Sequence, residues 1–132
     1  KHIKRKTYDF ILVNLANPDM VGHTGVIKAG IQACEVTDTC IGRIVKWVLD
    51  IKGDCLVTAD HGNVEEMIDL QTGQIDTKHS TNRVPLIIIR QKATFDHRTL
   101  PRGILADVAP TILDLMGIRP PEMMTGRSLI KE

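Results

Sequence analysis

The chain's 132 residues suffice for one domain with a real core, and 42% of them are apolar. Aromatics are only 3%, so that core must be aliphatic, and stacking platforms for single-stranded nucleic acid are excluded. With 17 basic against 16 acidic residues the formal net charge is +1, which leaves no basic excess to draw in a phosphate backbone.

The one local basic run is Lys1-His2-Ile3-Lys4-Arg5-Lys6. So short a run has little specificity, and it is expected to be a solvated flank rather than a nucleic-acid or targeting patch. The chain opens without Met, almost straight into a strand, and so reads as a piece of a longer protein. Residues 8–15 (YDFILVNL) are a nearly continuous apolar run, expected to be a strand buried on both faces as in parallel sheets. Asp9 is expected to be a boundary or cap residue. Asn17-Pro18-Asp19-Met20-Val21-Gly22-His23-Thr24-Gly25 then carries turn chemistry.

From 26 to 51 the period becomes helical. Ile27, Ile31, Cys34, Ile41, Val45 and Val48 share a stripe that only Asp38 interrupts, and Trp47 joins its apolar end. Thr24 is expected to cap this helix and Gly53 to stop it, while Gly30 and Gly42 weaken the pattern. Residues 55–59 make a second buried strand that opens onto Asp60-His61. The segments 65–70 and 74–78 flank Thr72-Gly73 as a hairpin, and 79–82 are polar and irregular. Residues 84–89 (VPLIII) are a third buried strand with Pro85 near its start. The stretch 91–102 reads as a surface loop. Asp107 is expected to cap a helix through Leu115, with Pro110 in its first turn and Gly117 ending it. The tail from 123 to 132 has no clear period. Strands alternating with helices make the chain α/β, with an antiparallel hairpin added.

Cys34, Cys40 and Cys55 form no CxxC pair and no even framework, which fits free thiols in a reducing compartment. No apolar stretch approaches the length of a membrane span and none has signal-peptide flanks, so a soluble cytoplasmic protein is expected.

Five residues follow strands or the hairpin: Asp19, His23, Asp60, His61 and His79. In open α/β sheets ligands bind beyond the carboxyl ends of strands, so these five are expected in one crevice. For any one histidine a hydrogen-bonded loop residue is an equal reading. Three of five histidines in such settings, two with a nearby Asp, favour metal. Imidazoles with carboxylates suit Mn²⁺ or Zn²⁺ better than Ca²⁺, and two acid–imidazole sets fit two ions. His2 and His97 are expected on the surface, as is Arg83. Glu65 and Glu66 read as an exposed hairpin flank rather than support for the site. Ser80 and Ser128, the two serines, have no base beside them that would make a nucleophile.

The Asn17–Gly25 motif, then Thr58-Ala59-Asp60-His61-Gly62-Asn63, then His79-Ser80-Thr81-Asn82-Arg83-Val84-Pro85 together resemble the C-terminal end of the cofactor-independent (2,3-bisphosphoglycerate-independent) phosphoglycerate mutases. Leu105-Ala106-Asp107-Val108-Ala109-Pro110-Thr111-Ile112-Leu113 and Met124-Thr125-Gly126-Arg127-Ser128-Leu129-Ile130 resemble the last helix and tail of that family. The resemblance implies that residues 1–132 are the C-terminal portion of a metal-binding, alkaline-phosphatase-like domain. It implies two metal ions, usually Mn²⁺, with Co²⁺ or Zn²⁺ also acceptable. Asp19, His23 and His79 would hold one ion, and Asp60 and His61 half of the second site. The other ligands of that site in the family, an Asp and the nucleophilic Ser, lie near the start of the full enzyme. A separate inserted domain supplies most substrate-binding arginines.

The implied reaction is an isomerase step of glycolysis and gluconeogenesis, interconverting 3-phosphoglycerate and 2-phosphoglycerate through a phosphoserine. This chain alone is then expected to be inactive, and the sheet edge it exposes to favour self-association, although the full enzyme would be monomeric. Nucleic acid and membrane are not expected partners. The alternatives are another phosphotransferase or phosphohydrolase of the alkaline phosphatase superfamily, such as a phosphopentomutase, or a non-catalytic metal-binding domain.

Overall fold

The computed structural model describes residues 2–90 and 100–130. It divides into two compact units, Lys1–Gln91 and Lys92–Glu132. His97 and most of the loop expected over 91–102 lie outside the described residues, as do Lys1 and the last two residues of the tail.

In the first unit the order is α1 (His2–Arg5), α2 (Asn17–Gly22), α3 (Ile27–Asp50), β1 (Cys55–Thr58), a 3-10 turn (Val64–Glu66) and β2 (Leu86–Ile89). The chain is mixed α and β, as expected. The two strands pair antiparallel, with Cys55 opposite Ile89 and Thr58 opposite Leu86, so the parallel pairing read from the apolar runs is not what forms here. Residues 8–15 are not a strand either, and Leu12 in that run is 82% exposed. An apolar run becomes a strand only where its N–H and C=O groups meet a neighbouring ladder, and among the described residues β1 has β2 as its neighbour. The basic flank forms a single exposed helical turn, α1. It is not wholly solvated, because Lys4 Nζ stands 5.4 Å from the centre of the Trp47 ring.

The turn chemistry of 17–25 resolves into α2, with Pro18 in its first turn, where no intrahelical donor is lost. Thr24 does not cap α3. Its hydroxyl donates to Val21 O (2.6 Å) and accepts from Val26 N (3.3 Å), so it braces the link between α2 and α3. Helix α3 matches the expected span. At its end Lys52, at φ 62°, takes the left-handed position, and Gly53 follows it to donate to Val48 O at 2.9 Å.

Gly30 and Ala33 are the buried residues of α3. Ile27 and Ile31 of the expected stripe are exposed, lining an open cavity with Val64, Met67 and Leu70. A Cβ on Gly30 would stand 2.8 Å from Met67 Sδ, so the missing side chain lets α3 lie against the 3-10 turn. Nothing lies within 4 Å of a Cβ placed on Gly42. Gly42→Ala is therefore expected to stabilise the chain by roughly 0.5–1 kcal/mol, through a smaller loss of backbone entropy on folding, and a thermal melt checks it. Gly30→Ala is expected to move the other way.

The expected hairpin survives as a chain reversal with one bridge, Ile68 to Ile75. Asp69 N donates to Gln74 O (2.9 Å) and Asp76 N to Met67 O (3.0 Å), while Gly73 turns at φ 68°. The first arm begins in a 3-10 turn, Val64–Glu66, and contributes only Ile68 to a bridge.

The second unit contains a 3-10 turn (Leu105–Asp107) and α4 (Val108–Leu115). Pro110 sits in the first turn of α4, and Gly117, at φ 70°, closes the helix as expected. Asp107 precedes α4 but does not cap it. Its buried carboxylate accepts from Arg127 N (2.8 Å) and Ile104 N (2.9 Å) instead. Thr111, fully buried, donates to Asp107 O (2.7 Å) and accepts from Leu129 N (3.0 Å). The tail is thus clipped to the start of α4 by backbone donors, which no periodicity could reveal.

The hydrogen bonds from Arg127 N and Ile104 N hold the Asp107 carboxyl below its ordinary 3.8. A lowered folded value means stability that is complete above about pH 4 and is lost as pH falls through the folded value. Asp107→Asn is expected to be less stable at neutral pH and to show a flatter acid limb below about pH 4 in a denaturation series.

Candidate metal centre

Helix α2 presents Asp19 and His23 one turn apart, on one face, with Asp19 Oδ1 3.3 Å from His23 Nε2. The loop after the Ile68–Ile75 reversal brings His79 to them. Its Nε2 lies 3.2 Å from Asp19 Oδ1 and 3.1 Å from His23 Nε2. Three donor atoms on three side chains thus form a near-equilateral triangle. Donors bound to one ion at about 2.0–2.2 Å stand roughly 3.0–3.5 Å apart, in octahedral or tetrahedral arrangement, so the triangle fits a divalent cation.

The tautomer agrees. His23 Nδ1 is 2.7 Å from Thr77 O, a group that can only accept, so the proton belongs on Nδ1 and Nε2 keeps its lone pair toward the triangle. Asp19 is half-buried and both histidines are exposed, so the face toward solvent is open.

Beneath the triangle lies Asn63, 5% exposed. Its Nδ2 donates to Asp19 Oδ1 at 3.0 Å, and its Oδ1 is buried without a partner. A Cβ on Gly22 would fall 2.0 Å from that oxygen, so the glycine is what admits the amide. Asn63 N in turn donates to Glu65 Oε2 at 2.7 Å. Glu65 Oε1 accepts from the Ser80 hydroxyl and from Asn82 Nδ2, and Glu66 accepts from Asn82 at 2.7 Å. Both glutamates are exposed, as expected, but they are also bonded into the site's surroundings. Partial burial opposes ionisation of Glu65, yet the hydrogen bonds from Ser80, Asn63 and Asn82 outweigh it and hold the carboxyl below its ordinary 4.5.

Asp60 and His61 leave the end of β1 as a pair, Oδ2 to Nε2 at 3.6 Å, with Asp60 87% exposed. They do not join the triangle. They adjoin it, because the His61 ring stacks on His79 at 3.8 Å between centres. All five residues singled out in the sequence therefore lie in one neighbourhood, three as a triangle of donor atoms and two as a flanking pair. Sequence reasoning gave no role to Asn63, Thr77 or Ser80. Asn63 directly follows Asp60-His61-Gly62, which was a usable signal. Thr77 acts through its backbone oxygen and gave none.

A family model described as the metalloenzyme superfamily matches residues 1–120. The chain belongs to the metalloenzyme superfamily. It is 50% identical over 125 residues to the 2,3-bisphosphoglycerate-independent phosphoglycerate mutase of Clostridioides difficile, covering 95% of this chain and 24% of that protein. It is 51% identical over 129 residues to the enzyme of the same name from Clostridium tetani, covering 98% and 25%. A solved structure of Leishmania mexicana phosphoglycerate mutase, at low cobalt concentration, matches with a TM-score of 0.80 and 30% identity over 95% of this chain and 25% of that one. The chain thus spans about a quarter of the length of the relatives it matches. These likenesses bear out the resemblance drawn from the motifs, and superfamily membership supports a divalent metal. No helix among the described residues is long and apolar enough to cross a membrane.

Proposed function

We propose that this chain is the metal-binding portion of a cofactor-independent phosphoglycerate mutase, a cytoplasmic glycolytic isomerase that interconverts 3-phosphoglycerate and 2-phosphoglycerate. The observation that carries the reading is the triangle of Asp19 Oδ1, His23 Nε2 and His79 Nε2, with sides of 3.1 to 3.3 Å. The half-identity to mutases along the chain supports the substrate class. Asp19, His23 and His79 hold one ion, Mn²⁺ by preference, and Asp60 and His61 supply part of a second site. Bound divalent ions lower the pKa of a nucleophilic hydroxyl and neutralise charge on a transferring phosphoryl group.

The residues of this chain prepare for that chemistry. The Thr77 carbonyl fixes the His23 tautomer. Asn63 takes up one lone pair of Asp19 Oδ1 and so orients the carboxylate. The stack of His61 on His79 sets the second pair beside the first. The serine that becomes phosphorylated belongs, by the resemblance, to a part of the enzyme outside these 132 residues.

Titrating Mn²⁺ into the chain while following its thermal midpoint, together with a mutase assay on the same preparation, tests both halves. Saturable stabilisation without turnover is expected. No stabilisation would sink the metal reading, and metal-dependent turnover by this chain would sink the division of labour.

A further inference from the structure

The Glu65 side chain ties together the two loops on which the metal centre depends. Its Oε2 accepts from Asn63 N at 2.7 Å, and the Asn63 side chain donates to Asp19 Oδ1 at 3.0 Å. Its Oε1 accepts from the hydroxyl of Ser80, the residue after His79, and from Asn82 Nδ2 at 3.2 Å. The backbones of the same two loops join at Gly62 and Ser80, where Ser80 N donates to Gly62 O at 2.9 Å. A Cβ on Gly62 would lie 2.2 Å from both Glu65 Oε1 and Ser80 Oγ, so the glycine clears the space this carboxylate fills.

Three donors therefore converge on one side chain: an N–H, an O–H and an amide NH₂. Only an ionised carboxylate accepts from all three without offering a proton of its own. We infer that Glu65 is a positioning residue of the metal centre, holding Asp19 through Asn63 and His79 through Ser80 at the spacing one divalent ion requires. This rests on the metal reading above. Groups that orient ligands from outside the coordination sphere typically change metal affinity by about 10–100-fold when removed. Glu66 is the natural control. It accepts from Asn82 Nδ2 at 2.7 Å, whereas Asn63 N and the Ser80 hydroxyl donate to Glu65.

The test is the affinity of the 132-residue chain for Mn²⁺, read from the free-ion signal in electron paramagnetic resonance, with the metal-free thermal midpoint measured beside it. Glu65→Gln puts an NH₂ where a donor already points. It is expected to raise the dissociation constant by about tenfold or more in a chain that still melts cooperatively without metal, while Glu66→Gln stays within about threefold. If Glu65→Gln does not fold, Ser80→Ala carries the test, with an expected loss of about threefold or more. Wild-type affinity in Glu65→Gln, or an equal loss in Glu66→Gln, overturns the inference and leaves the metal reading standing. A wild-type chain that binds no Mn²⁺ overturns both.

Discussion

His79→Ala is expected to weaken Mn²⁺ binding by at least about a hundredfold and to erase the stabilisation the ion confers. The three donor atoms come from two places in the fold, two from α2 and the residue that ends it, and one from the loop at His79. Removing His79 leaves an Asp and a His one helical turn apart, without the third member of the only such cluster among the described residues. A ligand present at a hundred times its dissociation constant stabilises the folded state by about 2.7 kcal/mol. For a chain of this size that is a rise of roughly 10 °C in the thermal midpoint. The variant should lose that rise, while its metal-free stability changes by about 0.5 kcal/mol or less, because His79 is exposed. His2→Ala, at an exposed position in α1, should keep the full rise. Paired melts with and without MnCl₂ decide the matter, and an undiminished rise in His79→Ala would remove the triangle as the binding site.

The long helix and β1 were legible because their patterns are local. The stripe through 27–48 needs only the 3.6-residue period, and the short apolar run before Asp60 needs only its flanks. The segment holding Asp19 and His23 was misread as a turn, although spacing of four is itself helical. Pro18 and two glycines suggested a turn, yet proline in a first helical turn loses nothing. The run at 8–15 failed for a different reason. Its burial in a sheet depends on neighbours, and the described residues supply none for it. The five candidate ligands were legible as residue types at element ends. What fixes them was not: Thr77 O, Asn63 and Glu65 act across gaps of 54, 44 and 15 residues. Such bonds leave no periodic trace in one sequence.

The tail makes the same point with a larger expected energy. Gly126→Ala is expected to destabilise the second unit by about 3 kcal/mol or more, near the upper end of single substitutions. A Cβ at this position would stand 2.0 Å from Ala106 O and 2.5 Å from Ala106 C, and a backbone carbonyl cannot swing aside as a flexible side chain can. The tail must then back away from the 3-10 turn that leads into α4. Arg127 N and Leu129 N, bonded at 2.8 and 3.0 Å to Asp107 and Thr111, lie one and three residues further on. Asp107 and Thr111 are both buried, so a lost donor leaves an acceptor without water. Each such loss costs about 1–3 kcal/mol. Gly117→Ala separates this steric effect from ordinary glycine behaviour. Its φ is 70° but nothing stands within 4 Å, so only the left-handed backbone is penalised, by about 1–2 kcal/mol. Hydrogen exchange at Arg127 and Leu129 reports the local loss directly. Faster exchange at both amides in Gly126→Ala, with little change in Gly117→Ala, is the expected pattern. Unchanged protection in Gly126→Ala would mean that the clasp between the tail and α4 does not hold that unit together.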